Sequence, residues 1–371
     1  MISAKIKMRQ QGQRLHEYAT QPLSQPFPWE RNPKARHLSP ALKCISQILK
    51  EGFCMLHRIG LLLVLLSCAC VLPSSAQTFV TTIPVSGQPN GISVNPTTNR
   101  IYVTLGTAVD VIDGSTNTVV DTVQTPQGAS FIAANIVTGR VYTAGCSSTG
   151  TCGVTVIDGA TNAVVATIPL IVRSGIVVQG ITVNPVTNRV YVADDFVYRI
   201  ADIDGNTNTV LTYIKTGNSE ALGLAVDFST GQILAVPSGG ALLVINGSNN
   251  AVSRVKVGFL NWDVAANSFT NRAYVTNNGG TTLGVVDLVS LKQIANVTIG
   301  SVPLGVCVDY LSNKIFVTVM GGDGRVAEVD GTTNAVTGTL TLNSDYIDVN
   351  PVTRLVYATD TNGSSVNVIS E

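Results

Sequence analysis

A seven-bladed β-propeller is predicted for this chain, all-β and built of four-stranded antiparallel blades. One turn phrase recurs seven times, its copies open 40 to 49 residues apart, and short β-branched runs fill the intervals. The phrase is clearest as Asn95-Pro96-Thr97-Thr98-Asn99-Arg100-Ile101-Tyr102-Val103. Further copies open at Asn135, Asn184, Asp227, Asn267, Asp309 and Asn350. The fourth carries Leu234 where others carry tyrosine or phenylalanine. A second phrase, Asp113-Gly114-Ser115-Thr116-Asn117, returns at Asp158, Asp204, Asn246 and Asp330, and in decayed form as Asp287-Leu288-Val289-Ser290-Leu291.

Each unit reads as strand a, the first phrase as a turn, strand b, a variable loop, strand c, the second phrase as a turn, and strand d. In the first unit the strands fall near residues 92–94, 101–104, 109–112 and 119–123, all rich in Val, Ile, Thr and Tyr. Asn or Asp opens each turn because its side chain caps nearby backbone, Pro fixes φ at the next position, and Asn or Gly supplies a left-handed residue before strand b. The seventh copy reaches the final Glu371 after strand c. Residues 78–85, Thr-Phe-Val-Thr-Thr-Ile-Pro-Val, are similar to the d strand of the second unit. The N-terminal strand is therefore expected to pair into the last blade beside Val366 and Ile369, closing the ring and removing a bare edge.

These phrases resemble the YVTN-repeat β-propeller family, whose name Tyr274-Val275-Thr276-Asn277 spells, and the resemblance covers residues 78–371. It implies a periplasmic, secreted or cell-surface protein related to archaeal surface-layer propellers. A few members are associated with DNA or heme-type partners.

Charge divides the chain. Its 23 basic and 23 acidic residues balance, but residues 1–76 hold 10 basic and 3 acidic ones, which leaves the rest at net −7. Residues 59–72 form an apolar run behind His57 and Arg58 and before Pro73-Ser74-Ser75-Ala76. That is the pattern of a signal peptide over residues 55–76, cleaved after Ala76 and starting at Met55. The run is short for a membrane span, so no transmembrane segment is expected in the mature chain, residues 77–371. Residues 1–54 read as a disordered or untranslated extension. Leu65-Leu66-Ser67-Cys68 loosely resembles a lipobox, which keeps a lipid anchor at Cys68 open, as does an uncleaved signal anchor.

Antiparallel strands send the a–b and c–d turns to one face and the b–c and d–a connections to the other. Repeated phrases occupy the first face; variation, and hence binding, belongs to the second. Five and four residues before each turn opener lies the mouth of the central channel. There stand Asn90-Gly91, Ser130-Phe131, Gln179-Gly180, Leu222-Gly223, Trp262-Asp263, Leu304-Gly305 and Asp345-Tyr346. Asn90, Phe131, Gln179, Trp262, Asp263, Asp345 and Tyr346 are the candidate ligand-binding residues, an aromatic and carboxylate cluster suited to a cationic, sugar-like or peptide ligand. The alternative is that they only plug the channel.

Cys146 and Cys152 flank a short b–c loop of the second blade, and in an exported protein they are expected to form a disulfide. Cys307 reads as a buried apolar residue of an inner strand. Gly321-Gly322-Asp323-Gly324-Arg325 lacks a helix behind it and reads as a loop rather than a phosphate cradle. Asp194, Asp195, Asp202 and Asp204 do not match a calcium loop and read as solvated carboxylates.

The expected function is an exported, non-enzymatic binding or structural scaffold at the cell surface or in the periplasm. Its partner would be a protein, glycan or small ligand on the variable face, and the chain is expected to be a monomer. The alternative is a carboxylate- or calcium-dependent hydrolase resembling lactonase propellers, with Asp263 and Asp345 as acid, base or metal ligands. All three histidines, His16, His37 and His57, lie in the leader, so the body excludes Ser-His-Asp and Cys-His catalysis and histidine ligation of heme or zinc. No cofactor or metal is expected. One tryptophan in the body argues against quinone-dependent propellers, and an acidic body disfavours nucleic acid.

Overall fold

Asparagine tolerates the left-handed backbone better than any residue but glycine, and the repeat places it accordingly. In the computed structural model, which describes residues 77–170, 178–194, 198–217, 220–322 and 324–371, nine turns carry it at positive φ: Asn99, Asn117, Asn162, Asn188, Asn208, Asn250, Asn271, Asn313 and Asn334, all between 51° and 59°. Gly139 and Gly231 fill the same place in two others. Leu291, at φ 53°, and Arg354, at φ 58°, show that the decayed phrase and the seventh copy keep the turn without the favoured residue. The expected leader elements, including Cys68, and also Asp195 and Asp323 lie outside the described residues.

Among the described residues, these turns join 28 strands into seven four-stranded antiparallel sheets. The first blade holds β2 (Ile92–Asn95), β3 (Arg100–Thr104), β4 (Gly106–Asp113) and β5 (Thr118–Ala129). The second holds β6 (Phe131–Ala134), β7 (Arg140–Cys146), β8 (Cys152–Asp158) and β9 (Ala163–Pro169). The third holds β10 (Val178–Asn184), β11 (Arg189–Asp194), β12 (Arg199–Asp204) and β13 (Thr209–Lys215). The fourth holds β14 (Ala221–Asp227), β15 (Gln232–Pro237), β16 (Ala241–Asn246) and β17 (Val252–Lys256). The fifth holds β18 (Asn261–Asn267), β19 (Arg272–Asn277), β20 (Thr282–Asp287) and β21 (Lys292–Thr298). The sixth holds β22 (Pro303–Asp309), β23 (Lys314–Val319), β24 (Arg325–Asp330) and β25 (Ala335–Thr341). The seventh takes β26 (Ile347–Asn350), β27 (Leu355–Asp360) and β28 (Ser365–Ser370) from the end of the chain and β1 (Thr78–Pro84) from its beginning. β1 runs antiparallel to β28, with Ile83 opposite Val366 and Thr78 opposite Ser370.

The first strand of each blade touches that of the next, and β26 touches β2, so seven inner strands ring the axis. The apolar core lies between blades rather than within one. Tyr142, Val154 and Ile168 of the second blade pack on Ile181, Val190 and Ile203 of the third. Ile83, Val366 and Val368 of the seventh pack on Ile92, Ile101 and Val103 of the first, which makes the closing seam as apolar as the others.

Polar stitches repeat along the same seams. Each opener's side chain caps its own turn, as where Asn350 Oδ1 accepts the Val352 N–H at 3.0 Å. Three openers also reach the next blade: Asn135 Nδ2 donates to Asn188, Asn267 to Asn313, and Asn350 to Asn99, each at 2.8 Å to Oδ1. The repeated phrase therefore encodes contacts between blades as well as turns within them.

Two expectations about polar residues change. Asp194 and Asp202 are buried, not solvated, and are paired with Arg199 at 3.0 Å and Arg189 at 2.8 Å, while the Asp204 carboxylate caps its turn through the Asn206 N–H. A carboxylate this far from water persists where a guanidinium partner offsets the desolvation. Cys146 and Cys152 stand directly opposite on β7 and β8 and form a disulfide, and Cys307 is a buried free thiol, both as expected.

Candidate functional site

The inner strands do not run straight to the channel mouth. Their pairing with the second strand slips between Val178 and Gly180, Ala221 and Gly223, Asn261 and Val264, and Pro303 and Val306. Each slip falls at the two mouth positions, and a bulge of this kind turns side chains away from the ladder. Glycine stands there where the next blade passes close: a Cβ on Gly180 would lie 2.5 Å from the Leu222 carbonyl oxygen. One on Gly223 would lie 2.7 Å from Asp263 Oδ1. Phe131, Asp263 and Tyr346 replace glycine in three blades, and all three line the resulting cavity.

Threonine holds the bulges. Thr276 Oγ1 accepts the Asp263 N–H at 2.9 Å and donates to the Leu304 carbonyl of the next blade at 2.8 Å. Thr104 ties Gly91 to Ser130, and Thr318 ties Gly305 to Asp345, in the same manner. The threonine of the Tyr-Val-Thr run is thus a positioning residue for the mouth.

The cavity has a volume of about 110 Å³, walled by Phe131, Gln179, Trp262, Asp263 and Tyr346. Phe131 and Tyr346 meet edge to face with ring centroids 6.0 Å apart. Burial, helped by the Asp263 charge, pushes the Tyr346 hydroxyl up to about 12. A second, larger hollow of about 390 Å³ adjoins it on the variable face. Trp262 and Tyr346 wall both, and Val302, Leu304, Met320, Asn278, Asp345 and Thr361 complete the second.

Of the seven candidate residues, five line the channel cavity. Asp345 instead lines the outer hollow, its carboxylate accepting the Thr361 N–H at 3.0 Å. Asn90 lines neither, and its backbone N–H donates to the Thr104 carbonyl at 2.9 Å. Asp263 and Asp345 therefore face different spaces, and among the described residues no group of three or more His, Cys, Asp or Glu side chains is placed to hold a metal ion. The hydrolase reading gains no support from this arrangement.

A further carboxylate, Asp348, was not singled out in the sequence. It sits two residues past Tyr346, on a strand where the first blade carries Ser93. Asp348 accepts the Val94 N–H of the first blade at 2.8 Å, as Asp263 accepts the Val306 N–H of the sixth at 3.1 Å. Both bridge neighbouring inner strands, whose channel-side N–H groups have no further strand to pair with. Burial is the main cause that pushes each up to about 6, against the lowering effect of these N–H bonds, and the Asp348 charge raises Asp263 further. Since an unfolded Asp titrates near 4, the folded chain holds extra protons between about pH 4 and 6. Stability is then present below that window and falls as pH rises through it. Thermal melts should show a melting temperature that declines from pH 4.5 to 7; a rise over that interval would contradict the assignment.

Among solved structures, the chain is similar to the β-propeller domain of Cps50 (Swd1) from Myceliophteria thermophila, with a TM-score of 0.67 and 12% identity over 80% of this chain and 99% of that one. At this identity the likeness concerns the fold alone. No family model matches the chain, and no curated protein matches it. Among the described residues no helix is long and apolar enough to cross a membrane. The likeness shows a β-propeller fold, in agreement with the seven four-stranded sheets.

Proposed function

We propose that this chain is an exported binding propeller of the YVTN-repeat type that holds a compact cationic group at the mouth of its channel. The observation that carries the reading is the cavity itself: the aromatic residues Phe131, Trp262 and Tyr346 line it, and Asp263 lines it beside them. No Lys, Arg or His lines either hollow among the described residues. Aromatic faces and a carboxylate attract an ammonium or guanidinium by quadrupole and charge together, by about 2 kcal/mol or more per well-placed ring where water is excluded. Export is supported by the signal-peptide pattern at residues 55–76 and by the Cys146–Cys152 disulfide, a bond that persists in oxidising compartments.

Calorimetric titration of the purified full chain with butylammonium tests the reading. Saturable binding is expected, with at least a tenfold loss in Asp263→Asn and no binding of neutral butanol. Because Asp263 also bridges two strands, Tyr346→Leu is the companion variant, and it too should weaken binding at least tenfold. Butanol binding as well as butylammonium, or unchanged affinity in both variants, would refute the cationic site.

A further inference from the structure

The channel cavity, at about 110 Å³, falls below the roughly 300–1,000 Å³ typical of pockets that enclose a whole small ligand. It admits one side-chain-sized group. The outer hollow, at about 390 Å³, does fall in that range, and it shares the Trp262 and Tyr346 rings as a common ridge. A ligand that satisfies both spaces must cross this ridge.

The two sides ask for different chemistry. On the inner side stand Asp263 and aromatic faces. On the outer side Val302, Leu304 and Met320 give an apolar floor, with Met320 52% and Val302 38% exposed. Asp345 adds a second negative charge at the rim of that floor. Asn278 and Thr361 use Nδ2 and the hydroxyl proton on the carbonyls of Pro303 and Pro89, at 3.2 and 2.9 Å. Their oxygens remain as acceptors suited to backbone N–H groups. Cation, apolar group and N–H donors in a row describe a polypeptide rather than a sugar or a simple amine.

Resting on the channel-mouth reading above, we propose that the bound group is a Lys or Arg side chain of an extended peptide, and that an apolar side chain two residues along the same peptide fills the outer hollow across the Trp262–Tyr346 ridge. In an extended chain, side chains two residues apart point the same way about 7 Å from one another, which leaves room for a ring between them. The acidic walls complement a basic segment, and the intervening residue faces solvent. Specificity is therefore for basic-x-apolar sequences.

The test titrates the full chain by calorimetry with acetyl-Lys-Thr-Leu-amide, acetyl-Lys-Thr-Gly-amide and acetyl-norleucine-Thr-Leu-amide, beside butylammonium. The first peptide should bind at least tenfold tighter than either of the others. Met320→Ser, a neutral change at an exposed position, should erase the advantage of Leu over Gly while leaving butylammonium binding unchanged. Equal affinity for the Leu and Gly peptides with butylammonium still bound would overturn the peptide proposal and leave the channel site standing. Failure of every probe, butylammonium included, would remove both.

Discussion

Removal of Thr78–Pro84 should open the ring and lower the melting temperature by about 10 °C or more. The segment supplies the whole outer strand of the seventh blade, paired with β28 from Thr78 opposite Ser370 to Pro84 opposite Ser365. Ile83, 1% exposed, belongs to the apolar seam that joins the seventh blade to the first. Truncating a buried isoleucine costs about 2–5 kcal/mol, and each lost ladder hydrogen bond adds about 0.5–1.5 kcal/mol. A total near 5 kcal/mol, at roughly 2–4 °C per kcal/mol for a large domain, gives the expected shift. The deletion also leaves β28 as an unpaired edge, so aggregation on heating should increase. Ile83→Ala gives the milder version, with the ladder retained and a smaller fall in the denaturant midpoint. A deletion variant that melts with the intact chain would mean that the ring does not depend on this strand.

Gly159→Ala should destabilise by about 2–3 kcal/mol, read as a shift in denaturant midpoint, because the added methyl group meets the seam between the first two blades. Its Cβ would lie 2.5 Å from the Gly139 carbonyl oxygen and 2.7 Å from the Tyr102 hydroxyl. Tyr102 is fully buried and belongs to the first blade, whereas Gly159 follows Asp158 in the c–d turn of the second. The Gly159 N–H already donates to that same Gly139 carbonyl at 3.0 Å, so the backbone cannot retreat without losing the bond. Adding Tyr102→Phe should restore only part of the loss, since the carbonyl stays in place. Full recovery in the double variant would assign the whole clash to the hydroxyl, and no loss in the single variant would contradict the packing described.

The same residues explain what could be read in advance. Turn phrases such as Asn95-Pro96 and Asp113-Gly114 act locally, so their count gave seven blades, and the likeness of residues 78–85 to a d strand placed β1 beside β28. Facing cysteines across a short loop are also a local matter. Stepping back four and five residues from each opener found Phe131, Gln179, Trp262, Asp263 and Tyr346, all of which line one cavity. Asp345 and Asn90 lie outside that cavity: Asp345 lines the adjoining hollow with its carboxylate on the Thr361 N–H, and Asn90 lines neither. Asp348 was legible only as a carboxylate on a strand where other blades carry Ser93 or Ala133, a signal whose meaning depends on the N–H of Val94 in a blade distant in sequence. Contacts between blades, including Tyr102 with Gly159, leave no mark at short range.

A crystal structure of the chain grown with butylammonium locates the cation. The ammonium is expected between the rings of Trp262, Tyr346 and Phe131 with its nitrogen within hydrogen-bond distance of the Asp263 carboxylate. Density for the cation only outside this cavity, with the rings closed over an occupied channel, would contradict it.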